Sequence, residues 1–159
     1  MQNRIENLRC LKMKIEKIFR KIPDFQKVIL DTILFESKYP VLFTFKNDKD
    51  IYLFICCFVN SEKTKWIGTR TTYDNLINLL ENKITIRNAF FNVANDKIMI
   101  EYDGKEVKYE LKKASEIPDE ILPTVGEYMD AEEEYEEEIA EFKKRNKNNE
   151  YLQLSLSKV

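Results

Sequence analysis

The chain contains no histidine, and its ionisable side chains are carboxylates, lysines, arginines, tyrosines and three cysteines. That absence removes Ser-His-Asp and Cys-His nucleophiles, histidine general bases and most zinc or non-haem iron centres together, because each needs an imidazole to carry a proton or hold the metal. Cysteine does not restore a zinc site. Cys10 stands alone, and adjacent Cys56 and Cys57 form no C-x-x-C pair. In an extended strand those two point to opposite faces, which predicts buried free thiols rather than part of a disulfide framework. Gly68, Gly104 and Gly126 are the only glycines, and their spacing forms neither G-x-G-x-x-G nor a Walker loop.

Carboxylates remain, so a reading as a carboxylate and divalent-metal dependent enzyme or ligand-binding domain stays open as the alternative. Its residues are hard to name. Asp48-Lys49-Asp50 lies in a polar turn between two apolar runs, where solvation accounts for it. Of the core-region carboxylates Asp31, Asp74 and Asp96, the second reads as a helix cap and the third as a turn residue. No catalytic residue, metal ligand or cofactor is therefore assigned.

Recognition residues are easier to find, because Trp, Tyr and Arg dominate interface hot spots. Tyr39, Trp66 and Arg87 are the candidates for partner binding, although Trp66 also reads as core and Arg87 as a cap or ion-pair partner. A second candidate surface is acidic, with Glu132, Glu133, Glu136 and Glu137 presenting charge to a basic partner; its plain alternative is the solvated face of a packed helix. The first 27 residues are basic, holding eight Lys/Arg against three Asp/Glu, whereas residues 117–142 hold eleven acids and no base. These stretches could dock on each other within one molecule. Nucleic-acid contact through Arg4, Arg9, Lys12, Lys14, Lys17, Arg20 and Lys21 is disfavoured, because aromatic interleaving is absent apart from Phe19 and the acidic half repels phosphate.

These residues are carried by elements with clear signatures. Ile5, Leu8, Leu11, Ile15, Ile18 and Ile22 recur every three or four positions, predicting an amphipathic helix over 3–22 that stops at Pro23. Residues 28–36, 40–46 and 51–59 read as strands, the last two joined by a loop of about four residues at Asn47-Asp48-Lys49-Asp50. Residues 51–59 are apolar on both faces, which places them inside a sheet covered on both sides. A turn at 60–63 leads to a fourth strand over 65–71. Thr71-Thr72-Tyr73-Asp74 then reads as a capping box opening a helix with Tyr73, Leu76, Ile77 and Leu80 on one face. Asp103-Gly104 predicts a hairpin over 97–111 with a two-residue turn, setting Ile100 opposite Val107, Ile98 opposite Tyr109 and Lys97 facing Glu110. Residues 114–127 read as an irregular connection, 128–145 as an acidic helix, and 151–159, with alternating Leu152, Leu154 and Leu156, as a short strand or tail.

At 159 residues the chain suits one domain, residues 1–159, with a core over 28–112 and a basic helix over 1–22. The expected fold class is α+β: an antiparallel sheet of about five to six strands with a central amphipathic helix and flanking N- and C-terminal helices. With 34% charged residues and a net charge of -2, the composition is that of a soluble protein. No signal-peptide apolar region precedes the core, and the longest uncharged run falls short of the roughly 20 residues a membrane helix needs, so a cytoplasmic location and no membrane partner are expected.

Tyr39-Pro40-Val41-Leu42-Phe43, then Tyr52-Leu53, Trp66, Leu76, Leu79-Leu80 and Ile84-Thr85-Ile86-Arg87-Asn88-Ala89-Phe90 follow an order that resembles a family of small uncharacterised bacterial proteins. That family opens a strand with YP-x-L-F or DGP-x-L-F and carries an I-x-[IL]-R-x-A-F turn; here Lys38-Tyr39 stands where Asp-Gly is usual. The resemblance spans residues 28–92 and implies bacterial or phage origin and a cytoplasmic α+β domain, with no activity or ligand attached. The leading expectation is a non-enzymatic protein-binding domain of the immunity, antitoxin or phage accessory type, its oligomeric state open.

Overall fold

The computed structural model describes residues 14–129 and 135–157, with side-chain detail as far as Asn149. The fold is α+β, as expected, with a six-stranded antiparallel sheet. The described residues divide into two compact units, one formed by those up to Arg70 with Val93–Leu122, the other by Thr71–Asn92 with those from Pro123 onward.

The first unit is a meander of β1 (Ile29–Glu36), β2 (Pro40–Lys46), β3 (Ile51–Val59), β4 (Thr64–Thr71), β5 (Lys97–Tyr102) and β6 (Val107–Lys112), paired in sequence order. One device closes three of its hairpins. Asn47 Oδ1 accepts from the backbone N–H groups of Lys49 and Asp50 at 2.8 and 2.7 Å. Asn60 Oδ1 does so from Glu62 and Lys63 at 2.8 and 2.7 Å, and Asp103 Oδ1 from Lys105 and Glu106 at 2.9 and 2.8 Å. A side-chain acceptor at the first loop position thus replaces the next strand pair and holds four residues in the loop.

That device corrects the expected register of the last hairpin. Asp103 caps a four-residue loop, so Ile100 lies opposite Tyr109, Ile98 opposite Leu111 and Lys97 opposite Lys112. The slip is two residues, which preserves the face of every side chain while changing every partner.

Helix α1, described over 14–19, lies along one sheet face and sends Ile15, Ile18 and Phe19 into the core, followed by Ile22 and by Phe25 in the 3₁₀ turn Pro23–Phe25. Phe19 is the hub of the packing, with ring centroids 4.6 Å from Phe45, 4.9 Å from Phe54 and 5.3 Å from Trp66. Gly68 admits the Phe54 ring, since a Cβ there would overlap it. Leu42, Leu53 and Ile67 point to the opposite face and are also buried. β3 is thus buried on both faces at its start, but Phe58 and Val59 at its end are each 42% exposed. Residues 3–13 of the expected helix lie outside the described residues.

The second unit holds α2 (Tyr73–Leu80), α3 (Ile86–Phe91) and α4 (Glu136–Ser157). The cap of α2 is Thr72, one residue later than the expected box, its hydroxyl accepting from Asn75 N–H at 3.1 Å. Thr85 caps α3 in the same way, and the buried Asn75 amide donates to Ala89 C=O at 2.7 Å, joining the two helices. Ile84–Phe90, which the resemblance treats as a turn, is thus largely helical. At the C-terminus the helix runs through Ser157, so the strand or tail expected at 151–159 is overturned over 151–157. Alternating leucines are compatible with a helix once a stable helix leads into them, because backbone bonding propagates more readily than it nucleates.

Candidate functional site

In a meander, alternate turns emerge at the same end of the sheet, so the β1–β2, β3–β4 and β5–β6 turns gather there. They frame a cleft of about 360 Å³ whose lining includes Tyr39 and Pro40, Asn60 to Thr64, Tyr102 and Gly104. Trp66 and Cys56 line it from the sheet, and Ile15 and Ile18 from α1. Two of the three aromatic and arginine candidates, Tyr39 and Trp66, therefore share one cavity. Trp66 is core, 4% exposed and packed against Phe19, and it also contributes to the cleft lining.

Charge around this cleft is mostly positive. Lys14, Lys38 and Lys63 line it against one acid, Glu62. Lys63 is 3.5 Å from Glu101, so its charge is shared; among the described residues Lys14 and Lys38 have no ion-pair partner. The walls are held from behind: Asn60 fixes the β3–β4 turn as described above, Ser37 N–H donates to Tyr39 C=O at 3.0 Å, and Tyr102 Oη donates to Gly104 C=O at 3.0 Å. The result is an apolar floor inside a cationic rim on turns braced by hydrogen bonds.

The two described thiols are not activated as nucleophiles. Burial raises the Cys56 thiol, and burial with the neighbouring Cys56 raises Cys57 to about 11, so both are protonated near neutral pH, the opposite of a reactive thiolate. Both thiols are free and half-buried rather than fully buried, with Cys57 Sγ 3.4 Å from Lys65 C=O.

The remaining candidates lie elsewhere. Arg87 is in α3, where its guanidinium donates to Pro123 C=O at 3.3 Å and sits 6.0 Å from the Phe91 ring centroid, a clamp on the following chain. Glu136 and Glu137 are exposed in the first turn of α4, where carboxylates complement the helix dipole. Glu132 and Glu133 lie outside the described residues. Asp31 is 3.3 Å from Lys46, and Asp74 accepts from the Asn146 amide at 2.7 Å. Among the described residues no group of three Cys, Asp or Glu side chains is arranged to hold a metal ion. No helix among them is long and apolar enough to cross a membrane.

Lys97 is a residue that sequence reasoning misplaced. It is 1% exposed, and its ammonium donates to Val93 C=O at 2.9 Å, Thr69 Oγ1 at 3.0 Å and Asn95 Oδ1 at 3.2 Å. All three protons are used, which is what permits a buried lysine. Burial lowers its pKa, and nearby Asp96 offsets part of that. The amine pins the start of β5 to β4 and the loop before it. Comparison with protein-family models, curated proteins and solved structures yields no match to this chain.

Proposed function

We propose that this chain is a non-enzymatic cytoplasmic protein-binding domain of bacterial or phage origin, acting through protein-protein contacts as immunity proteins, antitoxins and phage accessory factors do. The observation that carries the reading is the turn-framed cleft, with Tyr39 and Trp66 inside and Lys14, Lys38 and Lys63 around it. A protein segment with one apolar anchor flanked by carboxylates complements it: the anchor fills a preformed apolar floor, and the acids meet lysines, of which Lys14 and Lys38 have no ion-pair partner among the described residues. Its volume of about 360 Å³ lies at the lower end of the roughly 300–1,000 Å³ typical of ligand pockets, a size suited to an anchoring side chain.

Trp66 is the sole tryptophan, so intrinsic fluorescence reports this cleft. Acidic peptides with a central Phe or Leu should shift its emission and bind more weakly as salt rises, and the Lys14→Glu/Lys38→Glu variant should lose the response while remaining folded. Silence with every such peptide, or an unchanged response in that variant, sinks the reading. Tighter binding of a single-stranded oligonucleotide at the same lysines would replace it with nucleic-acid recognition.

A further inference from the structure

The two edges of the sheet are built differently. β1 has register irregularities between Leu30 and Thr32 and between Ile33 and Phe35, and Leu30 N–H is taken by Glu16 Oε1 at 2.9 Å. Bulges and side-chain capture of this kind prevent an edge from pairing. β6 has neither: its ladder with β5 runs unbroken from Val107 to Lys112. Among the described residues no further hydrogen bond engages its backbone. Asp103 N–H bonds Glu106 C=O at the turn, and alternation from that pair aims the N–H and C=O groups of Val107, Tyr109 and Leu111 outward. The same three side chains form an apolar row on one face, with Tyr109 44% and Leu111 63% exposed.

We propose that this edge pairs antiparallel with β6 of a second copy, about a two-fold axis through Tyr109, joining two sheets into one. The sequence of the strand selects that register. Setting Tyr109 opposite its own copy places Lys108 against Glu110 of the partner, Glu106 against Lys112, and Val107 against Leu111. Shifting by two residues either way opposes lysine with lysine and glutamate with glutamate. Shifting by one puts outward backbone groups against inward ones and apolar side chains against charged ones. One register therefore satisfies hydrogen bonds, faces and charges at once, as an isologous contact requires. Seven residues per edge, 106–112, form a small interface, so the dimer is weak and exchanges in the micromolar range.

Sedimentation equilibrium on the full chain tests this. Wild type should dimerise, while Lys108→Glu and Glu110→Lys should each weaken dimerisation by about tenfold or more, because each opposes two like-charged pairs across the axis. Mixing the two variants, or combining both substitutions in one chain, should restore it, with circular dichroism confirming the fold throughout. A wild-type chain that stays monomeric at millimolar concentration overturns the proposal, as does a dimer indifferent to the charge swaps or one broken by Lys38→Glu instead. A monomer whose β6 amides respond only to an unrelated extended peptide would assign the edge to a foreign strand and refute the homodimer.

Discussion

Phe19 holds the cleft and the sheet to the same helix, so truncating it is the sharpest test of the packing. Its side chain is fully buried and touches the rings of Phe43, Phe45, Phe54 and Trp66. Phe→Ala in a core costs about 3–5 kcal/mol, and the value depends on how far the surroundings collapse. Collapse is limited here, because Phe43, Phe45 and Phe54 are themselves fully buried and Glu16 and Arg20 bond to β1 and Val28 on either side of Phe19. Edge contacts worth roughly 0.5–1.5 kcal/mol per aromatic pair are lost as well. We expect Phe19→Ala to lose about 4 kcal/mol, which at a urea slope of about 1.5–2 kcal/mol/M moves the midpoint by about 2–3 M. Phe19→Leu, which keeps most of the volume, should lose about 1.5 kcal/mol. Urea titration followed by Trp66 fluorescence reads the first unit directly. A loss under about 2 kcal/mol in Phe19→Ala, with Trp66 emission unchanged in the native state, would mean that α1 is not docked through this ring cluster.

Three further outcomes follow from particular contacts. Gly68→Ala should destabilise by about 2–3 kcal/mol in thermal or urea unfolding, because the new methyl meets the fully buried Phe54 ring; a neutral effect would place that ring elsewhere. Asp103 has its pKa lowered by accepting from the Glu106 and Lys105 N–H groups, so its contribution is present above the unfolded carboxylate value and lost as pH falls through the folded one. Acid titration of Asp103→Asn, which keeps the acceptor without the charge, should show a shallower loss of stability than wild type below about pH 4. For Lys97 the sign reverses. Its folded pKa is lowered by burial, so between that value and about 10.5 the unfolded chain holds more protons and wild-type stability gains relative to Lys97→Met as pH rises; parallel pH-stability curves for the two proteins would disprove it.

Much of the fold was legible because local chemistry and burial agree. The β2–β3 hairpin has its expected bounds, since two apolar runs flank a loop opened by Asn47, and α2 follows from one apolar face behind a threonine cap. Asp103 shows where local reading stopped short. Asp-Gly is the commonest sign of a two-residue turn, but the side chain, acting as Asn47 and Asn60 do, captures two backbone donors and lengthens the loop. The resemblance among those three loops is present in the amino-acid order, with Asn47, Asn60 and Asp103 each at the first loop position. Lys97 left no local trace, since its alternation with Met99 and Glu101 is that of a solvent-facing lysine, and only the acceptors of the loop at Val93 and Asn95 and of Thr69 make its burial tolerable.

The amino-acid order by itself determined which segments extend and which coil, which catalytic chemistries lack a side chain to perform them, and where charge of each sign concentrates. Those properties depend on residue type and on neighbours a few positions away. Tertiary structure alone decided that Tyr39 and Trp66 share a lysine-rimmed cleft, that Arg87 clamps a loop, and that β6 rather than β1 presents an open edge among the described residues. Each of those outcomes requires groups separated by many residues to meet, and a meander brings them together only after strand register has chosen their partners.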